Sequence, residues 1–299
     1  MNKLIRFSDV TARDGLQSLG KIISPTNKVN LIRNLSRLNF EEIEVGSLVN
    51  PKIIPTMANS LEVYNYTFNP NSYKSYILVG NNEGIKIINE NNIKYFSLFT
   101  SPSNTFNKKN INTDVEGSFK RFQDMISSLQ NRDNHYIKGY ISCIGDCPFE
   151  GDVPVDSIIN TINIYKDIGV NEICIADTIG SLKPDKLNAI LSETNKIYDM
   201  NLLSLHLHTN KKTLADDTTK NNLKVAVNNG ITKFDTSLYG IGGCPAIYCK
   251  DDVKSGNLNI FDAVKFLTEL GCSFVKNQDS QEWEEDLFQV EENCKNILF

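Results

Sequence analysis

Short runs rich in β-branched, aromatic and aliphatic residues alternate along the chain with longer segments whose apolar positions recur every three or four residues. The first kind, at residues 4–10, 41–45, 73–79, 94–99, 136–143, 172–177, 202–208 and 233–238, reads as strands. The second kind, at 25–38, 53–64, 83–89, 115–129, 155–168, 184–198, 214–227 and 260–270, reads as helices. Ser24 is placed to cap the first helix, with Pro25 in its opening turn. Eight β-then-α units in series predict an α/β protein of the TIM (β/α)8 barrel class. A doubly wound open sheet also alternates strand and helix, but it carries a glycine-rich turn after its first strand. Here that turn reads Thr-Ala-Arg-Asp-Gly-Leu-Gln, with one glycine. Beyond Gly271 the chain is charged and helix-prone over 281–297. The expected division is therefore a barrel domain at 1–271 and a C-terminal helical extension, 272–299, packed on it.

Composition narrows the function classes. With 299 residues, 40% of them hydrophobic and 22% charged, the chain has material for a large core and is not a disordered one. A net charge of -5 argues against a nucleic-acid partner. No apolar run approaches the roughly 20 residues of a membrane span, so no membrane partner is expected. The first strand-like run starts almost at Met1, which leaves no room for a leader, and a soluble cytoplasmic protein is the expectation. The 7 cysteines are scattered and odd in number, so they do not form a disulfide framework.

In a TIM barrel, chemistry collects at the carboxyl ends of the strands. Arg13 and Asp14 lie just past the first predicted strand, Glu44 near the end of the second, Cys143 at the end of the fifth and Asp177 at the end of the sixth. His206 and His208 end the seventh, and Gly242-Gly243-Cys244-Pro245 follows the eighth. Strand residues two apart point the same way, so the His206-x-His208 pair can reach one ion; otherwise the two rings serve as hydrogen-bonding groups at the barrel top. Asp14 and Asn257 are available as oxygen donors. Two imidazoles, a carboxylate and an amide suit a six-coordinate Mg²⁺ or Mn²⁺, whereas a structural zinc would call for thiolates, and no Cys-x-x-Cys occurs. Arg13 and Asp14 read either as an ion pair or loop cap, or as a divided pair: Asp14 for the metal and Arg13 for a developing negative charge. Cys244, between glycines and a proline, is either a reactive thiol on a mobile loop or an inert small residue in a tight turn. Cys143 and Cys147 read as packing and loop residues, Cys174 as core, and His135 as an ordinary polar contact.

These residues together resemble the 3-hydroxy-3-methylglutaryl-CoA lyase family, within the superfamily of TIM-barrel metallolyases. The likeness runs in order through Asp9-Val10-Thr11-Ala12-Arg13-Asp14-Gly15-Leu16-Gln17, Ser47-Leu48-Val49-Asn50-Pro51-Lys52, Lys108-Lys109-Asn110-Ile111-Asn112 and Gly139-Tyr140-Ile141-Ser142-Cys143. It continues through Asp177-Thr178-Ile179-Gly180, His206-x-His208, Gly240-Ile241-Gly242-Gly243-Cys244-Pro245 and Ser255-Gly256-Asn257. The Arg-Asp-Gly-x-Gln and His-x-His parts are shared with Claisen-type synthases, while Gly-Gly-Cys-Pro points to the lyase branch.

The resemblance implies that Asp14, His206, His208 and Asn257 ligate Mg²⁺ or Mn²⁺. It implies catalytic roles for Arg13 at the enolate, Cys244 as proton donor on a closing loop, Asp177 in substrate handling, Glu44 in support, and His206 beside its place as a ligand. The implied substrate is an acyl-CoA thioester, and the implied assembly is a homodimer. Three segments depart from the family pattern: Thr209-Asn210-Lys211-Lys212, the longer stretch from Ala246 to Lys254, and the bulky Tyr239 before Gly240. Two other functions stay open, a Claisen- or aldol-type acyl-CoA transferase and a catalytically lapsed barrel that acts as a binding protein.

Overall fold

The structure is a computed structural model that describes residues 3–243, 255–274 and 280–299. Eight strands form its centre: β1 (Leu4–Asp9), β2 (Glu42–Ser47), β3 (Lys74–Leu78), β4 (Tyr95–Thr100), β5 (Tyr136–Ile141), β6 (Glu172–Asp177), β7 (Leu203–Thr209) and β8 (Lys233–Thr236). Each pairs in parallel with the next, and β8 returns to β1 through Arg6↔Lys233 to Asp9↔Thr236. The sheet closes on itself, and helices follow the strands around its outside. This is a TIM barrel, as the β-then-α count predicts.

Period-two alternation decides what faces each layer. Ile137 and Ile141 on β5, Ile173 and Ile175 on β6, and Leu205 and Leu207 on β7 are fully or almost fully buried in the apolar core shared with the helices. Their alternates include Lys138, Glu172, Ser204 and His206, and the charged ones meet across the barrel axis. Lys138 Nζ lies 3.1 Å from Glu42, 3.2 Å from Asp235 and 3.5 Å from Glu172. Lys233 Nζ lies 2.8 Å from Glu42 and 2.7 Å from Glu172. The interior is therefore a lattice of two ammoniums and three carboxylates, contributed by β2, β5, β6 and β8.

The helices differ from the sequence reading in ways the local chemistry explains. Ser24 caps the helix Pro25–Leu35 as expected, its hydroxyl accepting from the Asn27 N–H at 3.2 Å. That helix tightens into a 3-10 turn at Ser36–Leu38 and stops at Asn39, which takes a left-handed conformation with φ of 55°. The stretch read as one helix over 53–64 is a 3-10 turn, Pro55–Met57, and then a helix, Ser60–Thr67; Pro55 starts the first piece. The stretch read as 214–227 is two helices, Lys211–Ala215 and Thr218–Asn228, separated at Asp217, where φ is 58°. A helix that the periodicity did not reveal, Asn104–Ile111, follows β4; its mean polarity hides it, and Ser103 caps it by accepting from the Phe106 N–H.

Among the described residues, Asp146–Cys147 and Gly151–Asp152 form a small antiparallel pair after β5, and two further short strands join the barrel sheet. β9 (Gly256–Asn257) runs antiparallel against the end of β7, and β10 (Ser273–Phe274) lies parallel beside the start of β1. Phe7, Phe274 and Trp283 form a triangle of rings, Phe274 stacking on Phe7 at 5.5 Å and on Trp283 at 6.1 Å while Phe7 and Trp283 lie 6.4 Å apart, and Trp283 Nε1 donates to Leu38 O at 3.3 Å. Trp283 thereby pins the final helix, Ser280–Leu298, across the helix Pro25–Leu35. Only 7% of Trp283 remains exposed. Trp283→Ala is expected to cost about 3–5 kcal/mol of unfolding free energy, the usual range for deleting a buried aromatic. Urea or thermal unfolding checks this, and a loss below about 1 kcal/mol would mean that the final helix contributes little to the barrel's stability.

Candidate active site and metal centre

The seventh strand carries two histidines on its inward face, as the spacing predicts. Two strands on, across β8, β1 is followed by a single π-helical turn, Thr11–Gly15, which displays Arg13 and Asp14. Asp9 holds that turn, accepting from the Thr11 N–H at 2.9 Å and its hydroxyl at 2.8 Å; the hydroxyl in turn accepts from the Leu238 N–H at 2.9 Å. Asn257 on β9 stands opposite His208 in register. Ligand atoms of Asp14, His206 and His208 come to lie within 4.8 Å of one another.

The hydrogen bonds around this group direct lone pairs toward its centre. His208 donates through Nδ1 to Thr178 O at 2.6 Å, and His206 donates through Nδ1 to Asp235 Oδ2 at 3.1 Å. Each ring thus keeps Nε2 as an acceptor. Asn257 Nδ2 donates to Asp14 Oδ2 and to Ile241 O, both at 2.9 Å, which leaves Oδ1 over. His208 Nε2 and Asn257 Oδ1 are buried and have no hydrogen-bond partner among the described residues. Two buried acceptors beside a carboxylate are costly without a cation, and this donor set of nitrogen and oxygen suits a divalent ion. Burial first, then His206 beside it, holds the His208 pKa down at about 4, so the ring is neutral at physiological pH and free to ligate. Burial opposes the ionisation of Asp14, but Arg13 and the two histidines outweigh it and keep the carboxyl below its usual range.

Arg13 and Asp14 are paired, and the pair is turned inward. Arg13 Nη1 donates to Asp14 Oδ1 at 2.7 Å and Nε donates to Glu44 Oε2 at 2.6 Å. Glu44, fixed by the Ser97 hydroxyl at 2.5 Å, sets the guanidinium plane. Burial works against the Arg13 charge, yet Glu44 and Asp14 raise its pKa well above the ordinary value. A fixed cation therefore stands beside the prospective ion site, its centre 5.8 Å from the Tyr140 ring.

Asp177 is placed differently. It ends β6 on the parity that faces away from the axis, and its carboxylate accepts the N–H groups of Ser181 at 3.1 Å and Leu182 at 3.0 Å. Burial pushes its pKa up to about 6. Its inward neighbours Ala176 and Thr178 line the cavity, while Asp177 itself ties the loop that supports Thr178 and, through it, His208.

The cavity above these donors holds about 120 Å³ and has two unlike walls. Arg13, Asp14, His206 and His208 form one, on the turn after β1 and on β7; Leu78, Phe99 and Phe106 form another, on and after β3 and β4. Those apolar residues, and Tyr140 and Ser142 between them, went unnoticed in the sequence as site residues. Their signal was the parity of strand ends rather than unusual chemistry. Asp235 was also missed, although Lys-Phe-Asp-Thr alternates charge with apolar in a predicted strand, the mark of a polar barrel interior.

The cysteines and the loop after β8 complete the picture. Cys143 and Cys147 are buried, with Cys147 Sγ bonded to the Ser103 hydroxyl at 3.1 Å, and Cys174 faces Asp235 inside the barrel. His135 is a polar contact, bonded to Ile93 O at 2.9 Å and Gln130 O at 3.0 Å. Cys244 lies outside the described residues, but the two glycines before it are positioned against the site. Gly242, with φ of 141°, packs so closely that a Cβ there would collide with Asn257 Nδ2 and come within 2.8 Å of Asp14 Oδ2. Tyr239 fits despite its bulk because it leans away from the cavity: its hydroxyl donates to Glu291 O at 2.8 Å and its ring meets Phe299 edge-on.

Comparison with known proteins agrees with this geometry. The HMGL-like family profile matches residues 4–283. The mitochondrial hydroxymethylglutaryl-CoA lyase of Macaca fascicularis is 33% identical over 270 residues, covering 90% of this chain and 80% of its own. The hydroxymethylglutaryl-CoA lyase YngG of Bacillus subtilis is 31% identical over 268 residues, covering 90% of this chain and 86% of its own. Among solved structures, an HMG-CoA lyase from Acenitobacter baumannii in complex with coenzyme A and 3-methylmalate superposes with a TM-score of 0.87 at 28% identity, over 99% of this chain and 91% of that one. A barrel whose β1 and β7 ends bring Arg13, Asp14, His206 and His208 to one cavity, matched by the family profile over nearly its whole length, belongs to the HMGL-like family.

Proposed function

We propose that this protein is a divalent-metal-dependent carbon–carbon lyase that cleaves 3-hydroxy-3-methylglutaryl-CoA to acetoacetate and acetyl-CoA. The observation that carries the reading is the set of inward-facing donors, Asp14, His206, His208 and the unpartnered Asn257 Oδ1, beside a buried arginine. The relatives named above are hydroxymethylglutaryl-CoA lyases. Asp14, His206, His208 and Asn257 would hold Mg²⁺ or Mn²⁺. Bound there, the ion would supply Lewis-acid stabilisation of negative charge on substrate oxygens.

The chain's own groups account for the remainder. Loss of the tertiary hydroxyl proton lets the carbon–carbon bond break toward the thioester, so negative charge appears on the thioester enolate while the other fragment becomes a ketone. Arg13, already oriented by Glu44 and held cationic, is the group placed to stabilise that charge, and it needs no reorganisation at the moment of cleavage. The enolate then takes up a proton, for which we propose the Cys244 thiol; the proton released by the hydroxyl passes to solvent and one is returned from solvent to the thiolate, so that none is gained or lost overall. Asp177 acts by fixing the loop under Thr178 and His208. The apolar wall of Leu78, Phe99 and Phe106 accommodates an uncharged alkyl substituent and keeps water from the carbanion.

Purified protein supplied with Mg²⁺ or Mn²⁺ is expected to release acetoacetate from 3-hydroxy-3-methylglutaryl-CoA in a coupled assay. Folded, metal-loaded protein that yields none would overturn the substrate. Mn²⁺ at a hundredfold excess over its dissociation constant is expected to stabilise the protein by about 2.7 kcal/mol, and His208→Ala to abolish that shift with little loss of metal-free stability. Differential scanning calorimetry with and without the ion reads both quantities. Cys244→Ser is expected to lower kcat by about 10²–10⁴-fold, the range for a lost general acid, with Mn²⁺ affinity unchanged. Equal turnover in the two proteins removes the thiol from the mechanism.

A further inference from the structure

Among the described residues, the charged lattice inside the barrel meets the candidate ion site through Asp235. It is 1% exposed and uses both carboxylate oxygens: Oδ1 meets Lys138 Nζ at 3.2 Å and Oδ2 accepts from His206 Nδ1 at 3.1 Å. Strand register sets this meeting, with Asp235 paired to His206 across β8 and β7, and to Ser8 across β8 and β1. Lys138 reaches the same carboxylate from β5, on the far side of the interior, while also contacting Glu42 and Glu172. Lys233, the other interior ammonium, contacts Glu42 and Glu172 at 2.8 and 2.7 Å, and no contact joins it to Asp235.

Stability alone does not explain such an arrangement. Replacing buried ion pairs by apolar residues of similar volume is often neutral or stabilising, because desolvation offsets much of the attraction. What an apolar filling could not provide is an acceptor fixed in direction. A histidine whose Nδ1 lacked an acceptor could carry its proton on Nε2, the nitrogen turned toward Asp14 and His208, and its ring would be free to rotate. A carboxylate held by one oxygen only could follow the ring instead of fixing it.

We propose that Lys138 and Asp235 are positioning residues for the ion site: Lys138 immobilises the Asp235 carboxylate, which holds His206 with Nε2 presented to the ion. The inference rests on the metal-dependent reading above and extends it to a residue that contacts neither the ion nor the substrate. Outer groups of this kind typically contribute 10–100-fold to metal affinity. The lattice then has two unlike halves. Lys138 connects to chemistry at the barrel top, and Lys233 neutralises carboxylates below it.

The test is a Mn²⁺ titration followed by electron paramagnetic resonance, without substrate, on the wild type and four variants of the full chain. Asp235→Ala is expected to weaken Mn²⁺ binding about 10–100-fold, and Asp235→Asn, which keeps an acceptor, by less. Lys138→Met is expected to weaken binding about tenfold although it contacts no ligand. Lys233→Met, an equally buried loss of charge, is expected to lower the melting temperature while leaving Mn²⁺ affinity within about threefold. Wild-type affinity in Lys138→Met, or an equal loss in both lysine variants, overturns the proposal. Should the lysine variants fail to fold, the aspartate pair decides, and unchanged affinity in Asp235→Ala overturns it. A wild type that binds no Mn²⁺ overturns the metal reading and this inference together, whereas wild-type binding with indifferent variants overturns this inference alone.

Discussion

The feature on which the rest of the structure depends is the interior lattice of Glu42, Lys138, Glu172, Lys233 and Asp235. Barrels of this class usually fill their centre with layers of branched aliphatic side chains, which tolerate small shifts because one hydrocarbon contact resembles another. A charged filling tolerates none. A slip of one residue in β5 or β8 would turn Lys138 or Lys233 outward into the apolar layer and leave carboxylates uncompensated, at a cost of several kcal/mol. The registers that join β1, β7 and β8 are therefore set from inside, and these are the registers that bring Asp14, His206 and Asp235 to adjacent positions. The site at the barrel top stands on the electrostatic order beneath it.

The outer layer does complementary work. Ile137, Ile173, Leu205 and their neighbours hold the helices against the sheet without direction. Side chains near the strand ends then take functional positions wherever the interior parity reaches the top. Parity also explains why residues adjacent in sequence have different tasks. Thr178 lines the cavity, whereas Asp177, one position earlier, ties down a loop on the other face.

Much of this was legible in the sequence, for reasons that can be named. Strand and helix alternation is a strong signal over segments of 5 to 13 residues, and the 172–177 strand coincides with its prediction. His206-x-His208 was readable because strand periodicity is an exact two. The short Asn104–Ile111 helix was hidden by its polarity, and the break at Asp217 by a pattern that runs smoothly across it. Asp177 shows the limit of reasoning from strand ends: position along a strand was visible, but which face the last residue takes depends on parity counted from inside. Asp235 and Lys138 were invisible as a pair because 97 positions separate them and only closure of the sheet joins them. The loop bearing Cys244 could be recognised by its glycines, yet only the close approach of Gly242 to Asn257 explains why glycine is needed there.

That close approach links two parts of the protein that would ordinarily vary separately. The backbone at Gly242 occupies the space where any side chain would displace Asn257 or Asp14, so the segment after the eighth strand and the donor cluster share a wall. Redesign of the loop for a bulkier acyl group cannot proceed by loop replacement alone, since every new path for the chain must still pass position 242 with no side chain. The segment after the eighth strand is accordingly tethered at its origin, where the donor cluster rather than the entering ligand dictates which residue can stand.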